Sequence, residues 1–193
     1  GAGLVITGDD VPVARDRFRH RLTIPIHRRD GRLVGFGARG LGSEKPKYLN
    51  SPETEVFDKG SLLFNAHRAR QPAHDGEPLI AVEGYFDVVA AVAAGFPATV
   101  CTMGTAFTER HLLGLWQLSD VPTICFDPDK AGARAVAKAI QVAFPLVKPG
   151  RSLRFASLPA GLEPDEVIQK RGAETFRKAV EGAPGLADSF WRV

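Results

Sequence analysis

Six carboxylates set the chemistry open to this chain. Glu83 closes a short apolar run with a β-branched core, 79–82, and is followed by Gly84 and a segment that reads as helix. An acid on the last residue of a buried strand lies where the carboxyl edge of an open α/β sheet meets solvent, the usual ligand position in such folds. Asp87, four residues on, falls in the first turn of the next helix, where the helix dipole favours its charge. Asp127 and Asp129 flank Pro128 after a later apolar run, and Glu163 and Asp165 flank Pro164 after another. Parallel strands would bring all six acids to one sheet edge. Like charges a few ångströms apart repel by ~1–4 kcal/mol per pair even at solvated dielectrics, and a hard divalent cation, Mg²⁺ or Mn²⁺, relieves that repulsion while keeping waters for a substrate phosphate. Asp127 and Asp129 have a plainer use as the start and cap of the following helix. The recurrence of acids at three corresponding places favours the metal.

Other chemistries find no support. Neither Ser nor Cys sits beside a His in a nucleophile elbow, and no Gly-rich loop ends in Gly-Lys-Ser/Thr. The five histidines are scattered, with no Cys/His spacing that would hold zinc. His67 and His111 lie on helical stretches and read as surface or half-buried residues. Cys101 and Cys125 each sit in an apolar run and read as reduced core residues of a cytosolic protein. The start of the sequence has no secretory pattern, and no apolar run is long enough to span a membrane.

The elements that must carry the acids follow a strand–turn–helix rhythm. Strand 79–83 precedes helix 85–94, and strand 98–102 precedes the turn Met103-Gly104-Thr105 and helix 108–118. Strand 122–126 precedes helix 131–143, and strand 152–158 precedes helix 164–171. That alternation predicts a parallel sheet with helices on both faces. After Gly172 the chain begins a further helical element.

The front of the chain reads differently. Residues 13–70 hold thirteen Lys/Arg against six Asp/Glu, whereas residues 71–193 hold twelve against fourteen. A basic front and an acid-bearing back suit a polyanion held by one part and worked on by the other; a solvated basic face explains the charge equally well. Gly8-Asp9-Asp10 reads as a turn in an exposed lead-in. Alternation over 15–22 would place Arg17, Arg19 and Arg21 on one side of a ribbon. Asp30-Gly31 between strand-like runs signals a hairpin, and Pro25 puts its strand at an edge or bulge. Ser61 to Arg70 reads as a short helix and 71–78 as a linker. The domains expected are a small basic α+β subdomain over 1–72, an α/β domain over 73–172, and the start of a C-terminal helical element over 173–193.

With these residues in view, the strings Val82-Glu83-Gly84-Tyr85-Phe86-Asp87-Val88 and Phe126-Asp127-Pro128-Asp129-Lys130-Ala131-Gly132 resemble the toprim signature of primases, topoisomerases and some nucleases. Asp16-Arg17-Phe18-Arg19, Gly35-Phe36-Gly37-Ala38-Arg39, the stretch from Pro46 to Thr54, and Phe57-Asp58-Lys59-Gly60 are similar to the polymerase core of bacterial DnaG-type replicative primases. The resemblance runs from about residue 14 to the end of the chain. It implies a toprim-type parallel sheet and DNA-templated synthesis of short RNA primers by metal-dependent nucleotidyl transfer. Glu83, Asp127 and Asp129 would be catalytic. Glu83, Asp87, Asp127, Asp129, Glu163 and Asp165 would hold Mg²⁺ or Mn²⁺. Arg17, Arg19, Arg39, Lys47, Asn50 and Lys59 would line the template and nucleotide groove. Pro128 replaces the glycine usual in the second acidic motif, and Glu163 an aspartate usual in the third. The implied partners are single-stranded DNA and ribonucleoside triphosphates, with the replicative helicase and single-strand-binding protein reached through regions not recognisable here, and the implied location is the bacterial cytoplasm at the replication fork. The zinc-binding and helicase-binding regions of the family are likewise not recognisable, so a piece of a longer enzyme is implied. A toprim nuclease or topoisomerase, and a metal-, nucleotide- or ssDNA-binding piece without its own catalysis, are the alternatives.

Overall fold

The structure, a computed structural model, describes residues 3–7, 13–103, 106–159 and 161–190. The expected turns at 8–10 and 103–105 lie wholly or partly outside these residues. By packing, the chain divides into two compact units, Gly1–Asp58 and Lys59–Val193.

In the first unit, β1 (Val5–Ile6) pairs antiparallel with β2 (Arg15–Asp16), and β3 (Arg21–His27), β4 (Leu33–Gly40) and β5 (Tyr48–Asn50) form an antiparallel sheet in that order. The Asp30-Gly31 hairpin is present: Gly31 takes φ +85°, and Asp30 Oδ1 accepts from the Arg32 N–H at 3.0 Å. Pro25 sits on the edge strand β3, next to a register irregularity at Ile26/His27, as a residue without an N–H requires. The expected arginine ribbon does not form. Residues 17–20 bend and turn between β2 and β3, and His20 adopts φ +53°, so only Arg21 of the three belongs to β3. Side-chain alternation is lost wherever the backbone leaves the extended region.

The second unit contains β6 (Leu63–Phe64), α1 (Ala66–His74), β7 (Ile80–Val82), α2 (Tyr85–Ala93), β8 (Thr99–Thr102), α3 (Glu109–Trp116), β9 (Thr123–Ile124), α4 (Lys130–Ala143), β10 (Arg154–Phe155), α5 (Pro164–Arg171), α6 (Ala173–Glu181) and α7 (Leu186–Phe190). Its sheet runs β10-β9-β7-β8-β6, parallel except for the antiparallel edge strand β6. Leu79, Ala81, Val100, Ile124 and Phe126 join Ala66, Ala69, Leu112, Leu115, Ala139 and Ile140 in one core. The alternate residues Ile80, Val82, Cys101 and Cys125 are equally buried, and α2 packs on β8 and on α5. Both faces are therefore covered, as near-continuous apolar strands demand.

Two expectations need correction. The stretch 61–70 is not one helix: Leu63 and Phe64 pair with Thr102 and Cys101, Asn65 turns the chain at φ +67°, and the helix begins at Ala66. Asn65 tolerates the left-handed conformation and its Nδ2 donates to the Thr99 carbonyl at 2.9 Å. The sheet is accordingly mixed at one edge. By packing, residues 59–72 fall in the second unit.

Candidate active site

β7 is the middle strand of the sheet, paired on both sides, and Glu83 follows directly on its last residue. The Asp127 N–H donates to Glu83 Oε1 at 3.0 Å, tying the end of β7 to the turn after β9. Burial raises the Glu83 pKa, and the nearby charges of Asp129 and Glu163 act in the same direction against that hydrogen bond.

Asp87 occupies the first turn of α2 and is 6% exposed. Its Oδ2 accepts from the Gly84 N–H at 3.0 Å and its Oδ1 from the Asp165 N–H at 3.2 Å. These two donors oppose a larger effect: burial lifts its pKa to about 6, with Asp165 and Glu163 adding repulsion. Asp127 rises to about 7, first through burial and then through Glu83, Asp87, Glu163 and Asp129. Ligand atoms of Asp87, Glu163 and Asp165 all lie within 4.8 Å of one another. Among the described residues, Oδ1 of Asp127 and Oδ1 of Asp165 are buried without a hydrogen-bond partner. A buried carboxylate oxygen left unpaired is unfavourable, and an all-oxygen donor set suits a hard divalent cation. The residues present fit such an ion, and the acidic cluster at the end of the sheet is consistent with divalent-metal binding.

Asp129 caps α4, its Oδ1 accepting from the Gly132 N–H at 2.7 Å. The plainer reading of this acid thus holds for one of its oxygens, while its charge still bears on Glu83 and Asp127. Gly132 is structurally required, because a Cβ there would stand 1.9 Å from the Asp127 carbonyl oxygen. Its absent side chain lets the first turn of α4 close onto the acidic turn. A glycine three residues after the capping aspartate was the available signal.

Of the basic positions, four fall in the three-stranded sheet or beside it. Arg39 pairs with Tyr48 and Gly37 with Asn50 across β4 and β5. The Arg39 guanidinium and the Lys47 ammonium approach the Tyr48 ring at 5.7 and 5.6 Å from its centre. The Arg17 Nε–H donates to the Asn50 carbonyl at 3.1 Å. Arg19 is exposed in the bend. Lys59 begins the second unit.

His111 departs from expectation. It is fully buried, on the first turn of α3, with Nε2 2.8 Å from the Lys59 carbonyl oxygen and Nδ1 3.3 Å from the Thr108 nitrogen. A carbonyl can only accept and the Thr108 N–H can only donate, so the ring is the neutral Nε2–H tautomer. Thr108 and His111 cap the start of α3 reciprocally.

Residues 1–70 match the family described as "DNA primase catalytic core, N-terminal domain", and residues 77–157 match "Toprim domain". The DNA primase of Rickettsia conorii is 43% identical over 176 residues, which is 91% of this chain and 30% of that protein. The crystal structure of a DNA primase domain from Pseudomonas aeruginosa is 41% identical and superimposes with a TM-score of 0.92 over 99% of this chain and 60% of that one. A structure of the DnaG primase catalytic domain bound to ssDNA is 40% identical, with a TM-score of 0.91 over 99% of this chain and 59% of that one. The chain spans about 30% of the length of the curated relatives it matches. Two matched segments in chain order, the fold of the catalytic core and an acidic edge on the middle strand together place the chain in the DnaG-type primase family, of which it carries the N-terminal part of the catalytic core and the toprim domain.

Proposed function

We propose that this chain supplies part of the centre of a DNA-templated RNA polymerase that makes short primers by nucleotidyl transfer. The observation that carries the reading is the gathering of Asp87, Glu163 and Asp165 within 4.8 Å, next to unpaired buried oxygens on Asp127 and Asp165. Glu83, Asp87, Asp127, Asp129, Glu163 and Asp165 would hold Mg²⁺ or Mn²⁺. A divalent ion bound there would lower the pKa of the primer 3′-hydroxyl and offset charge on the incoming ribonucleotide's phosphates. Glu83, held through one oxygen by the Asp127 N–H, keeps its other oxygen for the ion or for the hydroxyl proton. Glu163 stands in for the usual aspartate, and its extra methylene lets it reach Asp87 and Asp165 from an exposed position.

The first unit holds the strand. Arg17, Arg19, Arg39, Lys47 and Asn50, with Lys59 from the second unit, contact template and nucleotide phosphates and read little sequence. A relative solved bound to ssDNA supports a single-stranded DNA partner. The helicase and single-strand-binding protein are partners of the full-length enzyme. Among the described residues no helix is long and apolar enough to cross a membrane.

The test is synthesis of labelled RNA by the full-length protein on single-stranded template with ribonucleotides and Mg²⁺ or Mn²⁺. Glu83→Gln is expected to lower the rate by about 10³-fold with the fold intact. Retained synthesis would remove Glu83 from the chemistry, and cleaved DNA in place of RNA would turn the reading towards a nuclease.

A further inference from the structure

The chain between β5 and β6, residues 51–62, contains no helix or ladder strand. Its end is nevertheless held, by side chains from the N-terminal turn of α3. His111 donates from Nε2 to the Lys59 carbonyl at 2.8 Å, and Thr108 donates from Oγ1 to the Gly60 carbonyl at 2.7 Å. The same two residues close the cap of α3: the His111 N–H donates to Thr108 Oγ1 at 3.1 Å, and the Thr108 N–H to His111 Nδ1. Two successive peptide carbonyls are thus pinned by one reciprocal cap. A helix cap needs neither a ring that reaches across 52 residues of chain nor a fully buried imidazole, and a serine or aspartate alone suffices for capping.

Pinning both carbonyls fixes the direction in which the Lys59 Cα–Cβ bond leaves the backbone. A lysine side chain is a flexible four-carbon stem, so the position of its root governs where the ammonium spends its time. We infer that His111, with Thr108, is a positioning residue for Lys59, holding that backbone so that its ammonium meets a phosphate of the template or nucleotide. The inference rests on the phosphate-binding role proposed above for Lys59. His111 touches neither substrate nor metal and acts through Lys59 alone.

Separation of two side-chain jobs makes this testable. In His111→Gln the amide N–H takes the place of Nε2–H and keeps the bond to Lys59. In His111→Asn the shorter amide reproduces only the Nδ1 side, so the cap survives and the Lys59 bond is lost. Steady-state primer synthesis by the full-length protein is measured for both, for Lys59→Ala and for the His111→Asn/Lys59→Ala double variant, with a melting curve for each. His111→Asn is expected to raise KM for template or for ribonucleotide about tenfold with kcat nearly unchanged, as loss of a binding contact does. His111→Gln restores most of the loss, and the double variant is no worse than Lys59→Ala. A long-range nitrogen–proton NMR spectrum of the unsubstituted protein should show His111 in the Nε2–H form. Additive losses in the double variant, equal losses in the Gln and Asn variants, or an Nδ1–H ring would each overturn the positioning role while leaving Lys59 in place. A silent Lys59→Ala would instead remove the phosphate-binding role of Lys59, and this inference with it. Should His111→Asn fail to fold, the tautomer and the loss or survival of activity in His111→Gln still decide.

Discussion

The acidic edge of the second unit and the basic sheet of the first are opposite solutions to holding charge. Asp87 is 6% exposed, and burial together with neighbouring acids lifts it to about 6 and Asp127 to about 7. Arg39 and Lys47 lie over Tyr48, itself 42% exposed, at the rim of a small antiparallel sheet. One region holds charges in a place that disfavours them; the other leaves them near water, where they are easily screened. The first therefore answers to pH and to bound cations, and the second to ionic strength.

The contrast is sharpest in the glycines. Gly132→Ala should destabilise the second unit by about 3 kcal/mol, because the new Cβ would stand 1.9 Å from the Asp127 carbonyl oxygen; thermal unfolding followed by circular dichroism checks it. Gly31→Ala in the basic hairpin, at φ +85° with nothing within 4 Å among the described residues, should lower stability by only about 1 kcal/mol. Equal effects would erase the distinction between a packed and an open turn.

Metal and pH probe the acidic edge next. Asp87 and Asp127 have folded-state values near 6 and near 7, above the ordinary 3.8. Each binds its proton more tightly when folded, so stability is highest below pH 4 on their account and is lost as pH rises towards 7. Mg²⁺ should reverse that loss, raising Tm by roughly 3–5 °C at pH 8 and less than about 1 °C at pH 5. A shift independent of pH would mean that the ion binds elsewhere.

The smallest effect belongs to the basic sheet. Lys47→Ala and Arg39→Ala should each weaken single-stranded DNA binding a few-fold and reduce the salt slope of log K by about 0.7. Anisotropy titrations at several salt concentrations measure both, and an unchanged slope would take that residue off the phosphates.

The acidic edge was legible because strand ends recur: an apolar run, an acid and a helix start say where a carboxylate lies once strands are parallel. Glu163, Asp165, Asp87, Glu83 and Asp127 followed from that rule alone. The basic positions were legible as types but not as a surface, since His20 in a left-handed turn breaks the alternation on which the arginine ribbon depended. β6 escaped because two residues of strand followed by Asn65 and a helix carry no periodicity of their own. The burial of His111 escaped for another reason. A histidine at the first turn of an amphipathic helix looks exposed until its two ring nitrogens find a backbone carbonyl and a backbone N–H, and that carbonyl, from Lys59, comes from 52 residues away.

The acidic edge can serve as a metal centre only if carboxylates distant in the chain act together on one ion. Mn²⁺ titration followed by electron paramagnetic resonance, at pH 7.5 and without nucleotide, tests this most directly. The unsubstituted chain is expected to bind Mn²⁺ saturably, and Asp87→Asn and Asp165→Asn, each confirmed folded, are expected to weaken that binding at least about tenfold. Unchanged affinity in both variants would contradict a shared metal centre.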